Sequence, residues 1–136
     1  MFLEFLTQQW HLVAGLGVAI LLLVMHESRR GGTSITPQQL TGLVNNQQAA
    51  VIDLRDPAEF RKGHIVDAIN IPFAKIDERM GELEKLRERP LVLVCKMGQF
   101  SSAAGKQLLA KGFSQIYRLG GGIGEWQATQ LPLVKG

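Results

Sequence analysis

The sequence predicts an α/β domain with a mainly parallel central sheet flanked by helices, preceded by one transmembrane helix. Three observations carry this reading. Apolar runs at residues 49–54, 68–71, 91–94 and 115–119 have the composition of buried strands. Helix-start signals and amphipathic stretches separate these runs, and strands alternating with helices build parallel sheets. Ahead of them all, residues 12–25 form a stretch of fourteen with no charged or polar side chain.

That first segment is short alone, about 21 Å at 1.5 Å per residue. Extended back to Phe5 it reaches about 31 Å, enough for a hydrocarbon core of about 30 Å. The extension takes in Thr7, Gln8, Gln9 and His11 beside Trp10, a mixture suited to the interface. A cleaved signal would need a basic start and a small-residue cleavage site. Here Glu4 stands at the start, and the run is followed by His26-Glu27-Ser28-Arg29-Arg30. Positive charge on the carboxyl side predicts an uncleaved, single-pass anchor in the inner (plasma) membrane. Its amino end would lie outside and residues 31–136 in the cytoplasm. The alternative is an amino-terminal helix buried in the domain. Gly15 and Ala19 form a small-x-x-x-small pair that could pack on a membrane-protein partner. Small residues are also common in any membrane helix, so the pair carries little weight. The expected organisation is an anchor with its basic flank at 1–30, a linker at 31–34 and the α/β domain at 35–136.

Within the domain, Thr36-Pro37-Gln38-Gln39 offers a cap, a proline at the first helical position and a capping-box glutamine. Leu40, Leu43 and Val44 mark the apolar stripe of that helix, and Asn45-Asn46 its end. Asp56-Pro57-Ala58-Glu59 repeats the pattern, with Gly63 as the stop. From Ile76, the residues Met80, Leu83 and Leu86 recur at helical spacing amid acidic and basic neighbours, predicting a solvated helix. Ser101 and Ser102 are candidate caps for a helix over 103–111. Gly120-Gly121-Gly122 predicts a turn before a closing helix whose Trp126 packs on the sheet.

Composition excludes several functions. The formal charge is +3, and residues 31–136 hold thirteen Lys/Arg against ten Asp/Glu with no basic run interleaved with aromatics. Nucleic-acid binding is not expected. One cysteine allows no internal disulfide, no multi-cysteine metal site and no C-x-x-C couple. His11, His26 and His64 are scattered, so neither a metal nor another cofactor is expected.

The single thiol, Cys95, follows the apolar run 91–94 and precedes a helix. At the carboxyl end of a buried strand, facing the amino end of a helix, unpaired N–H groups and the helix dipole favour an anion. Cys95 is therefore the candidate nucleophile, with a buried small hydrophobe as the plain alternative.

Three blocks then resemble the rhodanese (thiosulfate sulfurtransferase-like) family. The first is Val51-Ile52-Asp53-Leu54-Arg55-Asp56-Pro57-Ala58-Glu59-Phe60, continuing through Gly63-His64-Ile65 to Ala68-Ile69-Asn70-Ile71-Pro72. The second is Val92-Leu93-Val94-Cys95 with Gly98. The third is Leu119-Gly120-Gly121-Gly122-Ile123 followed by Trp126. The resemblance implies a rhodanese-like fold over residues 34–136. It also implies a catalytic cysteine, Cys95, that takes sulfane sulfur as a persulfide from a donor such as thiosulfate or another persulfide and passes it to a thiol acceptor. It implies a six-residue loop, Cys95 to Phe100, with Lys96, Met97, Gly98, Gln99, Phe100 and Ser101 binding the substrate. Lys96 is then either a solvated loop residue or a charge steering thiosulfate. Asp53, Arg55, Glu59 and His64 are expected to be chiefly structural.

One departure stands out. Phe100 occupies the loop position where active relatives carry Arg or a small polar residue, which argues for an apolar or macromolecular acceptor over efficient thiosulfate use. A cysteine phosphatase would need C-x5-R, and Ser101 stands where that arginine belongs. The non-enzymatic alternative is a membrane-tethered interaction module.

Overall fold

The computed structural model describes residues 1–28 and 31–136. Five strands form one sheet in the order β1-β5-β4-β2-β3, with every neighbouring pair parallel. They are β1 (Thr33–Ile35), β2 (Ala50–Asp53), β3 (Ile69–Asn70), β4 (Leu91–Val94) and β5 (Ile116–Leu119). The central strand β4 is fully buried along its length, so its Leu-Val-Leu-Val run feeds both faces of the sheet. Leu91 and Leu93 pack on one side with Ile52, Ile76, Leu83 and Leu108. Val92 and Val94 pack on the other with Leu40, Ile65, Ile123 and Trp126.

Helices α3 (Pro37–Gln47) and α7 (Gly122–Ala128) supply the second cluster, while α5 (Met80–Glu84) and α6 (Ser101–Ala110) supply the first. The helix α4 (Pro57–Lys62) follows β2 at its carboxyl end. The capping box of α3 forms in full: Gln39 N–H donates to Thr36 Oγ1 at 3.2 Å, and Thr36 N–H to Gln39 Oε1 at 2.9 Å. Trp126 is buried, and its Nε1–H donates to Pro132 O at 3.0 Å.

Four features differ from the sequence reading. Thr33 and Ser34, assigned to a linker, form β1 with Ile35 and pair with Tyr117, Arg118 and Leu119 of β5. A three-residue edge strand is too short to show a period, and its partner lies more than eighty residues away. Just before it, Gly31 lies against α6 so closely that a Cβ on Gly105 would fall 1.9 Å from Gly31 O. The solvated helix expected from Ile76 is only the five residues of α5, preceded by a 3-10 turn at Phe73–Lys75. Arg79 Nη1 docks on Asn70 O at 2.7 Å, and burial of Ile76 and Leu83 determines the chain path there. Residues 101 and 102 do not cap α6; Ser101 is its first residue and Phe100 stands at the cap. Asp56 likewise makes no side-chain cap bond at α4.

The fourth difference concerns the amino terminus. The apolar segment is two helices, α1 (Phe2–Gln8) and α2 (Trp10–Ser28), and apart from the half-buried Leu6 their described apolar side chains are exposed, so they are not buried in the domain. The helix axis bends by 78° at Gln9, where the polar run Thr7-Gln8-Gln9 interrupts the apolar pattern. Thr7 Oγ1–H donates back to Glu4 O at 3.0 Å, competing with the helical ladder. Among the described residues no single helix is long and apolar enough to cross a membrane, although the bent pair meets the length and hydropathy requirement together. Arg29 and Arg30, on which the expected orientation rests, lie outside the described residues.

Candidate active site

Cys95 lies where β4 ends, 1% exposed, at the base of a loop that closes onto α6. Gly98 turns the loop with φ +90°, a conformation open to glycine at little cost. Ser101 Oγ–H ties the turn down by donating to Gly98 O at 3.1 Å. Three groups then face the sulfur. Phe100 N–H donates to Sγ at 3.5 Å; Gln99 Oε1 is 3.6 Å away and Ser101 Oγ 3.9 Å, each placed to accept the thiol proton. Gln99 Oε1 also accepts from Met97 N–H at 2.8 Å. The sulfur is buried, and the side chains of Gln99 and Phe100 beside it are exposed.

A second element holds the loop from behind. At the amino end of α7, Ile123 N–H donates to Cys95 O at 2.9 Å and Gly124 N–H to Lys96 O at 3.0 Å. Gly122 makes the approach possible: its φ is +60°, and a Cβ there would lie 2.1 Å from Cys95 O. The helix thus spends two of its four orphan N–H groups on the carbonyls of the cysteine and its successor. Sequence reading placed the glycine triplet in a turn but did not connect it to Cys95. Three successive glycines were the available signal; their partner was not.

Cys95 lines a cavity of about 350 Å³ whose walls also include Arg55, Asp56, Glu59, Phe73, Lys96 and Phe100. Phe73 and Phe100 stack with ring centroids 5.2 Å apart and 21° between planes, forming one apolar wall. Phe73 was not singled out from sequence. It reaches the site because Phe73 N–H donates to Leu54 O at 3.1 Å, beyond the end of β2. Lys96 is exposed, and Met97 turns away from this cavity so that its thioether lies against Gly124. Of the loop residues named from sequence, the side chains of Gln99 and Ser101 and the backbone of Phe100 meet the sulfur. Lys96, Gln99 and Phe100 line the cavity, the Met97 side chain does neither, and Gly98 contributes only its backbone turn.

The polar residues of the first block form a scaffold. Asp53 is 1% exposed and binds Arg55 through Nε (3.0 Å to Oδ1) and Nη2 (2.8 Å to Oδ2). Arg55 Nη2–H also donates to Gly63 O at 2.7 Å, and Asn70 Nδ2–H bridges Asp53 O and Arg55 O. A buried pair with its hydrogen bonds satisfied in this way fixes geometry. His64 stacks on Phe60 with centroids 3.8 Å apart, and its Nδ1–H donates to Phe60 O at 2.9 Å. A carbonyl can only accept, so that nitrogen carries the proton. Neither Asp53 nor His64 lines the Cys95 cavity.

Comparison with known proteins places this architecture. Residues 36–129 match the rhodanese-like domain, more than half of the chain. The chain belongs to the rhodanese-like family. It is 36% identical over 124 residues to the uncharacterized protein YibN of Escherichia coli (strain K12), covering 88% of this chain and 87% of YibN. That match is longer than residues 31–136 and therefore reaches into the amino-terminal segment. The thiosulfate sulfurtransferase GlpE of Pseudomonas syringae pv. syringae is 35% identical over 95 residues, covering 70% of this chain and 87% of GlpE. Among solved structures, a rhodanese-related protein from Thermoplasma volcanium superposes with a TM-score of 0.66 at 30% identity, over 76% of this chain and 99% of that one. The rhodanese-like domain of this chain thus combines the family's five-stranded parallel sheet with one buried cysteine.

Proposed function

We propose that this rhodanese-like protein is a membrane-anchored sulfurtransferase that carries sulfane sulfur as a persulfide on Cys95 and passes it to a thiol or other nucleophilic acceptor. The observation that carries the reading is the sulfur itself. It sits at a strand's carboxyl end and receives the Phe100 N–H, and Cys95 lines a cavity large enough for a small oxyanion. In the first half-reaction the Cys95 thiolate attacks the outer sulfur of thiosulfate. A new S–S bond forms, the S–S bond of the donor breaks, and its electron pair leaves on sulfite. In the second, an acceptor thiolate attacks the outer sulfur of the Cys95 persulfide, and the pair returns to Cys95. Loop N–H groups stabilise the anionic sulfur in both. Lys96, Met97, Gly98, Gln99, Phe100 and Ser101 form the donor-binding loop. Relatives named thiosulfate sulfurtransferase support this chemistry. The test is mass spectrometry of the full chain after incubation with thiosulfate, where Cys95 should gain one sulfur atom. No gain with thiosulfate or with an organic persulfide donor would overturn the reading.

Phe100 sets the donor preference. Its ring, stacked on Phe73, replaces a polar loop terminus with an apolar wall. Phe100→Arg brings a cation and its donors to that wall, and the KM for thiosulfate is expected to fall roughly tenfold. An unchanged KM would show that Phe100 does not limit donor binding.

Residues 1–30 serve as the anchor, supported by the exposed apolar helix pair. The rhodanese-like domain faces the cytoplasm, where a lone thiol stays reduced. Protease added to spheroplasts should leave residues 31–136 intact; digestion from outside would reverse the orientation. A second reading, an interaction module held at the membrane, draws on the exposure of Phe100 at the cavity and of Met97 beside the same loop. A chain that never forms a persulfide would favour it.

A further inference from the structure

We propose that the Gln99 carboxamide oxygen is an internal occupant of the Cys95 loop, holding the place that an anionic sulfur donor must take, so that Gln99 sets donor affinity. The inference rests on the loop's role as an anion cradle in the proposed sulfur transfer. Its geometry is specific. Gln99 Oε1 accepts from Met97 N–H at 2.8 Å while standing 3.6 Å from Cys95 Sγ. It therefore bridges a loop N–H and the nucleophile, the two partners that an oxyanion or a sulfane sulfur would engage together. Phe100 N–H and Ser101 Oγ complete the ring around the sulfur and are held by the backbone and by Gly98 O. Gln99 alone among these reaches the site with a long, exposed side chain. Swinging it into solvent replaces its hydrogen bonds with water at small net cost.

An incoming dianion makes charge-assisted hydrogen bonds about twice as strong as those of a neutral amide. The donor therefore displaces the carboxamide, but its affinity is reduced by whatever the Met97 N–H and Cys95 contacts contribute. Gln99 is on this account a specificity-determining residue. It keeps the cradle filled against weak anions and water while yielding to a strong one.

The experiment reads cradle occupancy without requiring turnover. The full chain is alkylated at Cys95 with neutral iodoacetamide at fixed pH, and sulfate, which has no sulfane sulfur to transfer, is titrated in as the protecting anion. Gln99→Ala and Gln99→Met should each lower the half-protecting concentration about three- to tenfold. The Met variant keeps the bulk and loses the acceptor, so it separates the two. Gln99→Glu places a carboxylate on the same N–H and should raise that concentration tenfold or more. With thiosulfate as substrate, the Ala and Met variants should show the change in KM and little in kcat. Wild-type protection in both Ala and Met variants, a Met variant matching wild type while Ala differs, or no protection by sulfate in any variant would overturn the inference. If no variant forms a persulfide yet protection follows the Gln99 series, the sulfur-transfer reading fails and the occupancy stands.

Discussion

With Ser in place of Cys95, the full chain is expected to form no persulfide and to lose thiosulfate:cyanide sulfurtransfer by at least about 10⁴-fold, the order seen when a covalent nucleophile is removed. The reason is chemical rather than structural. A serine hydroxyl attacks only when a base takes its proton. The side chains meeting Cys95 Sγ are the Gln99 carboxamide and the Ser101 hydroxyl, neither of which is a base at neutral pH. Gln99 Oε1 and Ser101 Oγ stand 3.6 and 3.9 Å from Sγ, so the serine Oγ, on a shorter bond, needs those side chains to shift inward to be satisfied. Stability is expected to stay within about 2 kcal/mol of wild type. Parallel assays of activity and thermal unfolding separate these effects. Residual activity near the wild-type level in Cys95→Ser would remove Cys95 from the chemistry. A folded wild type without activity would leave the interaction module as the function.

The second large effect lies outside the loop. Gly122→Ala is expected to destabilise the domain by about 2–4 kcal/mol and to depress sulfur transfer well beyond the loss of folded protein. A methyl at this position would sit 2.1 Å from Cys95 O and 2.9 Å from Lys96 O, and the φ of +60° is unfavourable for any side chain. Relief requires α7 to move off the loop. The donations from Ile123 N–H and Gly124 N–H would then be lost, at about 0.5–1.5 kcal/mol each. Gly42→Ala is the matched control. It lies inside α3 with no heavy atom within 4 Å of the added Cβ, so it should stabilise by about 0.5–1 kcal/mol and leave activity unchanged. Chemical denaturation of both variants, with activity measured where each is fully folded, decides the matter. A Gly122→Ala protein with wild-type stability and activity would show that α7 does not hold the loop.

The residue order alone determined the α/β class, the parallel sheet and the position of Cys95 at a strand end, because each depends on local composition. Apolar runs such as Leu91-Val92-Leu93-Val94 can only be buried strands beside helix-start signals such as Thr36-Pro37-Gln38-Gln39. A thiol after the central run must stand at a strand end. Tertiary structure decided the rest. Thr33 and Ser34 became a strand only because β5 offered an edge, and the helix from Ile76 shrank to α5 because Arg79 docked on Asn70. The apolar terminus broke at Gln9, whose backbone leaves the helical conformation at φ −120°. At the site, the loop residues were legible as a set, but their roles were not. Phe73 reaches Phe100, and Gly122 reaches Cys95, through contacts between segments more than twenty-five residues apart. No pattern within either segment encodes such a contact, since it arises only when the sheet brings the strand ends together. For Gln99, too, the sequence showed only an uncharged polar residue in a six-residue loop that also holds Lys96. The turn at Gly98 decided that its oxygen would lie between Met97 N–H and the sulfur.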